Sequence, residues 1–313
     1  MCEAVQGILR VGGRGSALAR AQTARVIAAL RVAHGESLRI EEHVFVTQGD
    51  RVLDRALPEI GGKGLFTAEL DEALRRGEID LAVHSLKDLP VDADSNDGAL
   101  VLGAVCARDA VHDVLISTQG ITLAMLPAGA RVGTSSLRRR AQMLVLRPDL
   151  QIAPIRGNVD TRIRRIDEGA YQATVLAACG LDRLALSARA SEVLSLDVML
   201  PAPGQGAIAV QCRADDKTMR ERLAYIDDMR TRREVIAERA FLRGFGGGCS
   251  LPVAAYACSD GDGDGAVIML RGRVCASNAR DVLDEIGEGV EPIEIGLRMA
   301  QRMLARGARD LLA

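Results

Sequence analysis

Aromatic side chains are scarce: 313 residues hold no Trp, three Tyr and four Phe. Lysine is scarcer still, with Lys63, Lys87 and Lys217 the only three against 37 Arg. No apolar run approaches the ~20 residues that a membrane span needs. The opening MCEAVQGILRVGGRGS has no basic segment followed by a long apolar one, so no secretory signal is expected. The seven cysteines, at 2, 106, 179, 212, 249, 258 and 275, include no CxxC pair, and the four histidines are scattered. A disulfide framework and a structural zinc site are therefore not expected, and a reducing cytoplasm is the expected compartment. Few aromatics, a net charge of -2 and no basic run beyond Arg138–Arg140 argue against nucleic-acid binding.

Nucleotide and hydrolase signatures are missing too. The GGKG at 61–64 has Leu57 and Gly64 where a P-loop needs Gly and Ser/Thr. The Gly-rich GFGGGCS at 244–250 follows a helical stretch, which does not suit a dinucleotide fingerprint. No HExxH or GxSxG occurs. Kinase, dehydrogenase, zinc-hydrolase and α/β-hydrolase readings all lose support.

What is present is an α/β pattern. Hydrophobic residues make up 48% and charged residues 26%, the balance of a soluble globular protein, and the length implies two or three domains. Strands are expected at 8–12, 38–46, 79–85, 114–117, 130–134, 150–155 and 173–178, with helices between them; this alternation predicts mostly parallel, helix-covered sheets. Residues 47–64 lack periodicity and read as one long loop. After a further strand within 200–213 and a helix-rich 216–244, residues 252–287 alternate as antiparallel strands, and 293–308 form an amphipathic helix. The expected fold is two doubly wound α/β lobes followed by a small α+β C-terminal domain. The expected boundaries are 1–106 with 206–224, 107–205, and 225–313.

Three constellations carry chemistry. Asp88 follows Lys87 directly after a buried strand, and ligand sites in α/β sheets lie at the carboxyl ends of strands. Arginines recur at strand-to-helix turns: Arg14 before Gly15-Ser16, Arg138 and Arg139 after Thr134-Ser135-Ser136, and Arg156 and Arg162 around Gly157-Asn158. Helix N-terminal amides combined with guanidinium forks predict a site for a polyanion. Cys249, between Gly246–Gly248 and Ser250-Leu251-Pro252, sits on a turn with room for a bulky attached group, whereas most free cysteines are inert core residues.

These segments together resemble the hydroxymethylbilane synthase (porphobilinogen deaminase) family. The resemblance rests on GGRGSALARAQ (12–22), TQGD (47–50), GGKGLFTAEL (61–70), HSLKDLP (84–90), GTSSLRRRAQ (133–142), IRGNVDTR (155–162), LPAPGQGAIAVQCR (200–213) and ERAFLRGFGGGCSLPVAA (238–255). They occur in family order over nearly the whole chain. The sequence departs from the family at Ala110-Val111-His112 and after about residue 260. The resemblance implies that four porphobilinogen molecules condense head to tail with release of ammonia, on a dipyrromethane cofactor joined through a thioether to Cys249. It implies lobes like those of type II periplasmic binding proteins, with the first completed by a strand returning from near residue 205, and a monomer with neither metal nor nucleotide. By resemblance, Asp88 is the catalytic acid. Arg14, Ser16, Lys63, Phe66, Ser85, Lys87, Thr134, Ser135, Ser136, Arg138, Arg139, Arg156, Arg162 and Arg183 bind cofactor or substrate, and Lys63 and Phe66 border a lid. Asp50 is the alternative acid. A carboxylate-binding receptor without catalysis is the main competing reading; it has no need of Asp88 and Cys249 together.

Overall fold

A computed structural model describes residues 8–51, 64–91, 98–247, 251–276, 278 and 281–312. Lys63 and Cys249 lie outside the described residues, as do most of the expected 47–64 loop and Cys2.

The first lobe is built on β1 (Leu9–Arg14), β2 (Ile40–Phe45), β3 (Leu81–Ser85), β4 (Leu100–Val105) and β10 (Ile208–Arg213), in the order β2-β1-β3-β10-β4. The second is built on β5 (Asp113–Ser117), β6 (Arg131–Gly133), β7 (Gln151–Ala153), β8 (Ala173–Ala177) and β9 (Glu192–Val193), in the order β7-β6-β8-β5-β9. The two orders are equivalent. In each sheet four strands share a direction, and one, β10 or β5, runs antiparallel to both its neighbours.

The reversed strand in each sheet is the one the chain uses to cross between lobes. It leaves the first lobe after β4 to enter β5, and leaves the second after β9 to return as β10. Pairing Ile208 with Ser85 and Cys212 with Leu81 lays the returning strand along β3, as the family resemblance implies. Two strands were not legible in the sequence, β4 and the short β9, because neither shows clean alternation. Within the expected 47–64 loop, Gln48–Arg51 form a helical turn, α2.

Helices cover the sheets. Ser16 caps α1 (Ala17–His34), its Oγ accepting the Ala19 N–H, and the helix buries Ala19, Thr23, Val26 and Leu30. Further helices are α3 (Ala68–Arg75), α4 (Leu137–Leu146), α5 (Val159–Asp167), α6 (Ala178–Arg183) and α7 (Lys217–Leu223).

The C-terminal unit packs α8 (Met229–Gly244) and α9 (Pro292–Ala305) on the antiparallel sheet β11 (Val253–Ser259), β12 (Ile268–Cys275) and β13 (Val282–Gly289), with α10 (Ala308–Leu312) closing the chain. Phe241, Leu270, Ile295 and Met299 form the centre of its core. The two helices meet closely at Gly296, where a Cβ would lie 2.4 Å from the Ala237 carbonyl oxygen.

A buried ion pair joins this unit to both crossings. Arg108, on the outgoing crossing, donates to Glu238 Oε1 and Oε2 on α8 at 2.7 and 3.0 Å, and to the Gln205 carbonyl on the returning crossing at 3.0 Å. Glu238 also accepts the N–H groups of Gly204 and Ala257 at 2.7 and 2.8 Å. Burial raises the Glu238 carboxyl above its ordinary value, against the opposing charge of Arg108. Replacing Arg108 by Met leaves this carboxylate buried without its counter-charge. The expected loss is about 3–5 kcal/mol of unfolding free energy in urea titration; a loss below about 1 kcal/mol would show that the pair does not hold the units together.

Candidate active site between the lobes

Most of the described site residues lie at or just beyond the carboxyl ends of β1, β3, β6, β7 and β8, while Phe66 precedes α3. β3 runs directly into a tight turn, Leu86–Asp88, which presents Lys87 and Asp88. Leu18, Ser85 and Lys87 of the first lobe line a small cavity with Cys179 and Arg183 of the second. The turn is held from the C-terminal unit as well: Arg239 on α8 donates to the carbonyls of Leu89 and Pro90 at 3.0 and 2.7 Å. The first lobe, through the Leu86 N–H to the Ala207 carbonyl, and the C-terminal unit therefore both hold the backbone around Asp88.

Arg14 donates to both carboxylate oxygens of Asp50 and lies over the Phe66 ring, 4.3 Å from its centroid. Burial raises the Asp50 carboxyl, but the Arg14 fork and the Thr47 hydroxyl outweigh it and hold the group below its usual value. Asp50 is thus engaged as a counter-ion rather than placed beside Lys87. The hydroxyls at the turns serve the backbone: Ser136 caps α4, Ser135 donates to the Ile155 carbonyl at 2.9 Å, and Thr134 accepts from the Ser136 N–H at 3.2 Å.

The arginines divide into two sets. Arg138 and Arg139, in the first turn of α4, are buried and share one carboxylate, that of Asp113 at the start of β5, at 2.8 and 2.7 Å. Arg138 also donates to the Leu200 carbonyl at 2.7 Å, so its fork is turned to protein acceptors. Burial raises Asp113 and the charges of Arg138 and Arg139 outweigh it, leaving the carboxyl far below its ordinary value. Arg183 likewise meets Asp109 and the Gly206 carbonyl.

The second set faces Asp88 and Lys87. Burial pushes Arg162 down to about 10, with the charges of Arg139 and Arg156 adding and Asp88 opposing. Burial lowers Lys87 as well, with Arg139 adding and Asp88 opposing. Arg162 donates Nε to the Gly157 carbonyl at 2.8 Å. Arg139 Nε is buried and, among the described residues, meets no hydrogen-bond partner. Among the described residues, the cations Lys87, Arg138, Arg139, Arg156 and Arg162 gather around the carboxylates of Asp88 and Asp113. That gathering, together with the Arg139 Nε, fits a ligand bearing several carboxylates, such as a dipyrromethane with its acid side chains.

Asp113, Gln205, Arg108 and Glu238 were missed in the sequence. Asp113 begins an apolar run, and no spacing rule couples it to arginines 25 and 26 residues later. In the atypical Ala110-Val111-His112 stretch the hydrogen bonds are made by backbone, the Val111 and His112 carbonyls accepting from Gln205 and from the Ala178 N–H, while the Val111 side chain is buried. Approaching Cys249, Gly246 and Gly247 adopt φ of 91° and 71°, and a Cβ on Gly247 would lie 2.7 Å from Val91 Cγ2. Positive φ favours glycine at both positions, and the close approach to Val91 adds to this at Gly247.

His84, next to Ser85 on β3, is buried beneath this site. Burial pushes its imidazole down to about 4, with the Arg14 charge adding and the neighbouring Gln211 side chain opposing. The folded value lies below that of the unfolded chain, near 6.5. The stability contributed by neutral His84 is therefore complete above about pH 6.5 and is lost as pH falls toward about 4. A His84→Asn variant should lack this part of the acid destabilisation, on the order of 3 kcal/mol, in denaturant titrations across that window. An unchanged slope would assign the proton uptake to another group.

Residues 9–221 match the family model described as "Porphobilinogen deaminase, dipyromethane cofactor binding domain", and residues 232–305 match "Porphobilinogen deaminase, C-terminal domain". The porphobilinogen deaminase of Roseiflexus sp. (strain RS-1) is 47% identical over 97% of this chain and 98% of its own length. That of Xanthomonas euvesicatoria pv. vesicatoria is also 47% identical, over 97% and 98%. That of Brevibacillus brevis is 45% identical, over 98% and 97%. Among solved structures, the VFT2 domain of Bordetella pertussis BvgS covers 70% of this chain and 86% of its own at 15% identity and a TM-score of 0.42. With two family models spanning both lobes and the C-terminal unit, and relatives matched end to end, the chain belongs to the porphobilinogen deaminase family.

Proposed function

We infer that this chain is a hydroxymethylbilane synthase: it condenses four porphobilinogen molecules head to tail into the linear tetrapyrrole hydroxymethylbilane, releasing ammonia, in tetrapyrrole (haem) biosynthesis. The observation that supports the reading is the gathering of Lys87, Arg139 and Arg162, with Arg156 beside them, near Asp88 among the described residues. Each porphobilinogen ring brings an acetate and a propionate, and a growing chain of such rings needs fixed positive charge in a cleft shielded from water.

The assignment of roles follows from placement. Loss of ammonia from the incoming pyrrole leaves positive charge spread over its ring and nitrogen. Asp88, on its turn at the end of β3, supplies the carboxylate that stabilises this charge and takes or returns the pyrrole proton. Lys87, Arg139, Arg156 and Arg162 bind carboxylates beside it. Arg14 and Phe66 form a second wall with Ser16, and Lys63 belongs to the segment leading there. Ser85, Thr134, Ser135 and Ser136 contribute hydroxyls and backbone amides at the strand ends. Arg138 and Arg183 act by holding that frame as well as by charge. The dipyrromethane, held through Cys249, supplies the pyrrole to which the first substrate ring is joined. The units divide at 1–106 with 206–224, 107–205, and 225–313. A monomer working in the cytoplasm is the accompanying proposal; among the described residues no helix is long and apolar enough to cross a membrane.

Intact-mass measurement of the purified protein should give its sequence mass plus one dipyrromethane. Cys249→Ser should lose the increment, and peptide mapping should find it on none of the other six cysteines. An unmodified mass in active enzyme would exclude the covalent cofactor.

Asp88→Asn keeps the size of the side chain and removes its charge, so single-turnover elongation should fall by about 10²–10³. Asp88→Glu, which displaces the charge by one methylene, should retain measurable turnover and accumulate partly elongated enzyme visible by mass spectrometry. Elongation by Asp88→Asn at close to the parent rate would move the catalytic acid elsewhere.

A further inference from the structure

We propose that Gln205 is a positioning residue for the condensation: its amide ties Lys87 of the first lobe to Asp113 of the second, and so sets the ammonium beside Asp88 in register with the arginines across the cleft. This rests on the roles assigned above to Asp88 and Lys87.

Gln205 lies on the returning crossing and is fully buried. Its Nε2 donates to the Val111 carbonyl at 2.7 Å and to Asp113 Oδ1 at 3.0 Å, and its Oε1 accepts from Lys87 Nζ at 3.4 Å. Both acceptors lie at one end of the amide and the ammonium at the other, which fixes the orientation of the group by chemistry alone. The same Asp113 oxygen receives Arg139, while its second oxygen receives Arg138. One side chain thus spans both lobes and both crossings. Its backbone carbonyl, taken by Arg108, is anchored to α8 at the same time.

A purely packing role would be served by Met or Leu of similar volume. The amide does what those cannot: it passes the negative field of Asp113 toward Lys87 and gives the ammonium a neutral acceptor that does not compete with substrate carboxylates. Lys87 is faced by Asp88 on its own turn, by Arg139 of α4, Asp113 of β5 and Cys179 of α6, and it lines the cavities on both sides of the turn. Burial already lowers its proton affinity. Removing an acceptor lowers it further, so the alkaline limb of the rate profile should move to lower pH.

The test uses the cofactor-loaded enzyme, with Gln205→Met as the isosteric variant and Gln205→Asn as the shorter polar one should Met fail to fold. Loading is checked by intact mass and folding by thermal melting. For a folded, loaded variant, kcat/KM for porphobilinogen should fall roughly tenfold to a hundredfold at neutral pH, in line with loss of a hydrogen bond to a charged group. The alkaline limb should shift downward by at least half a pH unit. In a Lys87→Met background, read by single-turnover mass spectrometry, the same change should cost less than about twofold, because its effect passes through Lys87. Loss of rate that is uniform in pH and additive with Lys87→Met would reduce Gln205 to a packing residue and overturn the proposal, as would an unchanged rate. Failure of the reaction reading itself is separate: it would appear as a parent enzyme that carries no adduct or consumes no porphobilinogen.

Discussion

One buried carboxylate organises the cleft. Asp113 is fully buried; the charges of Arg138 and Arg139 favour its ionised form against burial, and Gln205 adds a further donor. Those donors in turn come from the first turn of α4 and from the returning crossing, so the ion cluster sets where the second lobe presents its arginines. A charge in such surroundings is costly unless every partner is in place, and truncating any one partner strands the others. The cluster therefore favours one arrangement of the two lobes over its alternatives, which an apolar contact of the same area would not do as sharply.

The second constraint is the pair of crossings. Because β5 and β10 are the reversed strands of their sheets, each lobe contains a strand whose approach is dictated by the other lobe. Arg108 and Glu238 then bind both crossings to α8, and Arg239 extends the hold to the turn that carries Asp88. The role proposed above for Asp88 needs an acid that stays fixed while the growing chain moves past it. The hydrogen bonds that the Arg239 side chain donates to the Leu89 and Pro90 carbonyls supply such fixing next to Asp88 itself.

Charge is distributed accordingly. Overall the protein is close to neutral, with a formal net charge of -2, yet the described part of the cleft gathers cations in excess. Some of the arginines belong to the frame and some remain to meet a ligand. Arg138 is consumed by Asp113 and Leu200, whereas Arg139 keeps a buried Nε that meets no partner among the described residues. Neighbouring arginines in one motif thus differ in what they can offer a carboxylate.

By itself the sequence determined the alternation of strands and helices, the antiparallel C-terminal unit and the strand-end placement of Lys87, Asp88, Arg139, Arg156 and Arg162. These are local matters: periodicity of apolar residues, caps such as Ser16 and Ser136, and the rule that turns at strand ends carry ligands. The edge strand β4 and the helical turn at Gln48–Arg51 escaped because pairing partners and packing, not local pattern, stabilise them. Only the tertiary structure decided which charges meet. Asp113 and Arg138, Gln205 and Lys87, Arg108 and Glu238 are separated by 25, 118 and 130 residues. Coupling at that separation follows from how two crossings and one helix pack, and carries no signature in the spacing of residues along the chain.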